Sequence, residues 1–229
     1  MTTQRRTDAL SRERIVTAAV ELLDVDGEDG LTFRRLAEQL RTGPGAIYNH
    51  VANKSELLIA ATDAVLAPAM TAGVADDVAA EDAAAEDAVR AVALVVFDTI
   101  DTHPWVGTQL ARVPTHPAML RILEPIGRQI QALGVPEAYQ FSSVSTLLAY
   151  ILGVSGQNAA NARMLPGVHR TDFLTTVSTT WANLDPGEYP FTRHIARQLP
   201  GHDDREEFLA GIDLILTGIR MLGHASRPD

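Results

Sequence analysis

Apolar residues recur along this chain at spacings of three and four, and no stretch alternates apolar with polar positions for long enough to make a strand. The pattern predicts an all-α fold of nine or ten helices. Ser11 stands where it can cap a helix to about Asp26, with Ile15, Ala18, Ala19, Leu22 and Leu23 as its buried stripe and Gly27-Glu28-Asp29-Gly30 as its end. Thr32 can cap the next, in which Phe33, Leu36, Ala37 and Leu40 share a face. Arg41-Thr42-Gly43 makes a turn, and Pro44 suits the first position of a helix that carries Ile47 inward, with Val51 just past its end. Asn53-Lys54-Ser55-Glu56 has the cap-and-glutamate spacing that starts a fourth helix, expected to reach about Pro68.

Beyond an acidic, small-residue stretch at 71–82, read as the domain boundary, the periods lengthen. A helix from about Ala79 to Thr102 is broken by His103-Pro104, and a short one follows from Trp105 to Ala111. Another runs from Pro117 to Leu133, with a kink expected at Pro125 because proline removes a donor and crowds the preceding turn. Pro136 opens a helix to about Asn161 that is apolar on several faces, so it should be buried on several faces. The segment 163–203 is less regular, with one helix expected at Thr171–Asn183, a Pro/Gly-rich stretch from Asp185 to Pro190 and a short amphipathic piece at Phe191–Leu199. The final helix opens on a capping box at Asp204-x-x-Glu207 and carries Phe208, Ile212, Ile215, Leu216, Ile219 and Leu222 on one stripe.

Two short helices across a glycine-containing turn are a helix-turn-helix. In residues 31–57 the carrying positions are Leu31-Thr32, Leu36-Ala37, Leu40, the run Ile47-Tyr48-Asn49-His50-Val51, Asn53-Lys54 and Leu57. This stretch resembles the DNA-binding segment of the tetracycline-repressor (TetR) family of bacterial transcription regulators. The resemblance covers about residues 11–67, and Tyr-x-His-Val-x-Asn-Lys at 48–54 is its most specific part. It implies an N-terminal three-helix helix-turn-helix domain with its connecting helix (1–70) and a larger helical ligand-binding and dimerisation domain (71–229). Arg41 departs from the pattern, since family members often have glycine there; a turn needing positive φ would strain it.

Charge changes the picture less than the total suggests. The net charge is −10, but residues 1–54 hold 8 of the 19 basic and 8 of the 29 acidic residues and are neutral. Positive charge in the binding unit is therefore local, in the arm (Arg5, Arg6, Arg12, Arg14) and in Arg34, Arg35, Arg41 and Lys54. The acidic remainder would repel DNA and favour one direction of approach. Cysteine is absent, which excludes disulfides and thiolate metal sites, and no two of the seven histidines are four apart. No cofactor is expected, and no run of 18 apolar residues suggests a membrane span. A cytoplasmic protein is the expectation.

DNA contacts are expected from Thr32, Arg34, Arg41, Thr42, Gly43, Pro44, Gly45, Ala46, Tyr48, Asn49, His50 and Lys54. Thr32, Tyr48, His50 and Lys54 would position phosphates, while Arg34 and Asn49 could reach base edges. The resemblance also implies a small-molecule effector. Candidate lining residues are Phe97, Trp105, Gln109, Met119, Leu123, Tyr150, Gln157, Asn158, Met164, Phe173 and Trp181, each of which could equally be core. A homodimer is expected through helices 136–161 and 204–223, with Leu148, Ile151, Leu152, Ile212, Ile215, Leu216 and Ile219 at the interface, unless those stripes close each protomer's own core. The reading is a ligand-responsive repressor of a palindromic operator and not an enzyme. The competing readings are a DNA-binding regulator with a protein partner or no effector and, remotely, an all-α enzyme.

Overall fold

The computed structural model describes residues 10–73, 82–112, 115–164 and 170–224, and every regular element among them is helical. The helices are α1 (Arg12–Gly30), α2 (Phe33–Leu40), α3 (Pro44–Tyr48), α4 (Lys54–Gly73), α5 (Asp82–Thr102), α6 (Trp105–Arg112), α7 (Pro117–Ala132), α8 (Glu137–Met164), α9 (Arg170–Ala182), α10 (Pro190–Ile195) and α11 (Asp204–His224). A 3₁₀ segment, Ala196–Gly201, joins the last two. The stretch expected to be least regular, 163–203, holds α9, α10 and this segment among its described residues.

The helix starts are chemically specified. The Ser11 hydroxyl accepts from Arg14 N–H and the Thr32 hydroxyl from Arg35 N–H. Asn53 Oδ1 accepts from Glu56 N–H at 2.9 Å, while the Glu56 carboxylate reaches back to Ala52 N–H at 2.8 Å. At α11 the cap is one residue earlier than expected: Asp203 Oδ1 accepts from Arg205 and Glu206 N–H, which frees the Asp204 carboxylate for Arg170 and His202. Gly27, at φ 66° and ψ −166°, breaks α1 where the sequence placed its end, and one further turn carries the chain to Gly30.

One proline behaves differently from expectation: α4 continues through Pro68 to Gly73, whereas α7 holds Pro125 inside it and runs to Ala132, close to its expected end. Each proline deletes one backbone donor, but packing of α4 against α1, α5, α6 and α7 keeps the helix going. The span Lys54–Ala72 is also long and apolar enough to cross a membrane by length and composition, although it contains no unbroken apolar run. Here it is a connecting rod with one buried face, Leu57, Ala61 and Leu66 lying between the N-terminal helices and the larger bundle. A continuous core runs from Ile15, Leu36 and Ile47 through Leu66 to Val92, Ile126 and Phe208. The two expected units are thus packed against each other along α4, and residues 74–81 of the expected boundary lie outside the described residues.

Candidate functional site

The helix-turn-helix is built outward from Leu36, Ala37 and Ile47, which are buried. Their burial fixes which faces of α2 and α3 are left outside. Arg34 points away, with its side chain 84% exposed and a loose 3.6 Å pairing to Glu38 one turn on. Arg41 sits in the left-handed region at φ 53° and ψ 46°, the one non-glycine residue at positive φ among those described. Its N–H closes on Ala37 and Glu38 carbonyls, and Thr42 N–H bonds Ala37 O at 2.9 Å, so the turn geometry demands this conformation. A left-handed L-residue costs roughly 1–2 kcal/mol, so the strain anticipated at Arg41 is present.

Gly43, Pro44, Gly45, Tyr48 and Asn49 are exposed, with Thr42, Ala46 and His50 half-buried beside them. A Cβ built at Gly43 or Gly45 would meet nothing within 4 Å, so the bare surface there is not required by the protein's own packing. Tyr48 is 54% exposed and its ring lies flat on Phe33, with centroids 4.5 Å apart. That stacking holds the hydroxyl at the rim of the face. Lys54 is committed differently from expectation: its ammonium donates to the Glu28 carbonyl at 2.6 Å, bracing the start of α4 against the end of α1. Arg12, expected in a DNA-contacting arm, pairs with Glu56 at 2.6 Å and donates to His50 O at 3.2 Å. It braces the same module from below. Arg5 and Arg6 lie outside the described residues.

A polar junction ties this module to the bundle, and sequence reasoning missed it. Asp24 Oδ1 accepts from Trp105 Nε1 and faces His103 Nδ1, both at 2.7 Å. Glu28 Oε2 accepts from Gln109 Nε2 at 2.9 Å and from an Arg112 guanidinium nitrogen at 2.6 Å. Trp105 and Gln109, taken as effector candidates, are therefore buried at the α1–α6 contact, where their polar atoms satisfy α1 carboxylates. Four polar side chains at 103–112, His103, Trp105, Gln109 and Arg112, were the available signal, but nothing local pairs residues about eighty apart.

The remaining effector candidates separate. Phe97, Asn158 and Phe173 line a cavity of about 570 Å3 at the ends of α5 and α8, together with Asn161 and His202. Its charged rim is largely paired within itself, Arg170 with Asp204 and Arg205 with Asp98. Met119 is buried in the core and Leu123 faces solvent on α7. Tyr150 donates to the Glu207 and Phe208 carbonyls of α11. Gln157 is exposed, Trp181 is half-buried on α9, and the Met164 side chain lies outside the described residues. A second cleft, of about 690 Å3, lies between α6 and α8.

The expected dimer residues divide in the same way. Ile151, Ile212, Leu216 and Ile219 are buried in the protomer's own core, where a partner cannot touch them. Leu148, Leu152 and Ile215 are half-buried. The faces that α8 and α11 leave outward carry Thr146, Ala149, Leu214, Thr217 and Met221, with Leu214 77% and Met221 68% exposed. The stripe was assigned by apolarity, and the most apolar positions are the ones a core takes first.

Comparison with known proteins bears on all of this. The sequence model for bacterial regulatory proteins of the tetR family matches residues 15–61. The transcriptional regulator SCO7222, a TetR from Streptomyces coelicolor, is 58% identical, with 94% of this chain and 100% of that one covered and a TM-score of 0.83. The transcriptional repressor DrrR1 of Streptomyces coeruleorubidus is 26% identical over 217 residues, 93% of this chain and 78% of its own length. ActR of Streptomyces coelicolor, solved in complex with actinorhodin, shares the fold at a TM-score of 0.75 and 23% identity, covering 96% of this chain and 100% of that one.

Proposed function

This chain belongs to the TetR family of transcriptional regulators, and on that premise we propose that it is a homodimeric repressor released from its operator by a small molecule. The observation that carries the DNA half is the outward face of α2 and α3. Arg34, Tyr48 and Asn49 surround a patch of glycine and proline that leaves room for close approach to a duplex. Arg34 has a weak, exposed partner that a phosphate or guanine edge can replace. Tyr48 and Thr42 would position the backbone, and Asn49 would read a base. Two such heads, held by the outward faces of α8 and α11, would enter successive major grooves about 34–36 Å apart.

The ligand half rests on the clefts. Their volumes of about 570 and 690 Å3 fall in the range of small-molecule sites. They give a small-molecule effector room. DrrR1 is a repressor and ActR was solved with a small molecule, which supports the same reading. The protein would act in the cytoplasm, and no catalytic step is assigned to it.

The test uses the full-length protein and a palindromic duplex selected from a random pool. Tyr48→Ala and Arg34→Ala should each weaken binding by about tenfold in fluorescence anisotropy, at the lower end of what lost DNA contacts cost. Sedimentation should show the same dimer in both. Unchanged affinity in both variants would remove the docking described here.

A further inference from the structure

We infer that α3 reads its half-site through the 5-methyl group of a thymine, seated over Gly45 between Pro44 and Ala46, and not through hydrogen bonds from the helix itself. The inference rests on the repressor reading above and names the feature of the operator that the recognition helix selects. α3 is poor in hydrogen-bonding groups. Of Pro44, Gly45, Ala46, Ile47 and Tyr48, only Tyr48 has one in its side chain, a hydroxyl at the tip of a ring that stacks on Phe33, 3° from parallel. Phe33 is only half-buried and Tyr48 is exposed, so this aromatic pair stays on the outside instead of entering the core. Pro44 stands one turn before Tyr48 on the same side of the helix, exposed and with no N–H to donate. The surface offered to a duplex is therefore apolar along α3 and polar at its margins, where Arg34 and Asn49 stand.

Every base pair carries donors and acceptors in the major groove, and one apolar group occurs there, the thymine methyl. An apolar face that enters the groove strips water from the edges beneath it. Guanine, adenine or cytosine edges covered in this way keep polar atoms without partners, which costs free energy. A thymine methyl gains by the same burial. The face thus selects thymine partly by what it denies to the other bases.

Helix geometry fixes where the methyl sits. Gly45 lies two residues from fully buried Ile47, about 200° round the axis, and so at the middle of the outward face. Pro44 and Ala46 stand on either side of it. With no side chain at 45, a methyl group reaches the backbone there, and any side chain at that position would take the same space. A Cβ at Gly45 would meet nothing of the protein within 4 Å. Gly127 and Gly218 have equal room, but neither stands on the face that meets DNA. Asn49, one turn beyond Gly45, follows α3 as its cap and reads a neighbouring base.

The probe is the palindromic duplex selected from a random pool, with each symmetry-related pair of thymines replaced in turn by deoxyuridine. That change removes the methyl and keeps the base pairing. Fluorescence anisotropy with the full-length protein should show at least one replacement that weakens binding by about fifteenfold, or roughly fourfold for the methyl lost from each half-site. Gly45→Ala supplies a methyl from the protein side. It should bind that uracil duplex at least as tightly as the thymine duplex, which a merely structural role for Gly45 would not produce. Its sedimentation should match wild type and its thermal midpoint should be no lower, because alanine suits a helix and the Cβ has room. Uracil duplexes that all bind like the parent overturn the inference, as does a selected half-site without thymine. A folded Gly45→Ala protein that keeps the thymine preference, or binds neither duplex, overturns it too, because the methyl then sits elsewhere. In each of these outcomes a duplex has been selected, so the repressor reading stands. A protein that selects no duplex overturns both.

Discussion

At the scale of single residues, two positions carry a cost that points to use. Arg41 holds a left-handed conformation that glycine adopts freely. Arg41→Gly should therefore raise stability by about 1 kcal/mol in urea melts. If its guanidinium meets a phosphate, the same change should weaken operator binding and lower the salt dependence of log K by about one unit. A gain in stability with unchanged affinity would leave the residue without a DNA role. His116 is the second. It caps α7 through Nδ1, which accepts from Ala118 N–H, so the proton of the neutral ring sits on Nε2, which is buried without a partner. Burial pushes its pKa below the usual 6.5, with Asp63 opposing weakly. The unfolded chain therefore takes up the proton first as pH falls. This contribution to stability is complete above about pH 6.5 and is lost on acidification through that value toward the folded-state pKa. His116→Asn keeps a capping oxygen without the titration. Its thermal midpoint should fall less than that of wild type between neutral pH and about pH 5.

At the scale of elements, α8 and α11 meet at a contact with no slack. A Cβ on Gly211 would lie 1.9 Å from the Tyr150 hydroxyl, which is itself held by two α11 carbonyls. Tyr150 also stacks on Phe208, with centroids 5.8 Å apart. Gly211→Ala should cost roughly 1–3 kcal/mol, as overpacking usually does, and should weaken the dimer because it displaces the outward faces together. Tyr150→Leu added to Gly211→Ala should recover part of the loss in denaturant melts. No recovery would place the strain elsewhere. α6 shows the converse economy: eight residues touch α1, α4, α5 and α8, so its small size is compatible with a central role.

At the scale of the whole molecule, a neutral head is mounted on an acidic body through the rod α4 and the α1–α6 junction. The junction is polar and partly exposed, whereas the rod is anchored by buried Leu57, Ala61 and Leu66, so the two connections should differ in how easily they open. Glu28→Gln should leave the global melt within about 0.5–1 kcal/mol of wild type, since the pair is partly exposed. Amide exchange at the end of α1 and in α6 should nonetheless speed up. If exchange accelerates equally through α4, the junction is not a separate hinge. The body's negative charge should keep non-specific DNA binding weak, so that affinity comes from the few cations on the head.

What the sequence determined is what local chemistry can encode. Helix spacing, the Ser11, Thr32 and Asn53 caps, the strained turn at Arg41 and the recognition run at 48–54 each depend on residues within one or two turns of one another. They were legible for that reason, and the family resemblance lay in the same stretch. Tertiary structure decided where competing apolar and polar residues went. It buried Ile151, Ile212 and Leu216 inside the protomer, sent Trp105 and Gln109 to α1 carboxylates, and turned Lys54 toward the Glu28 carbonyl. These pairings join residues 26 to 81 positions apart. No periodicity along the chain specifies them, because they are fixed only when packing brings the helices together.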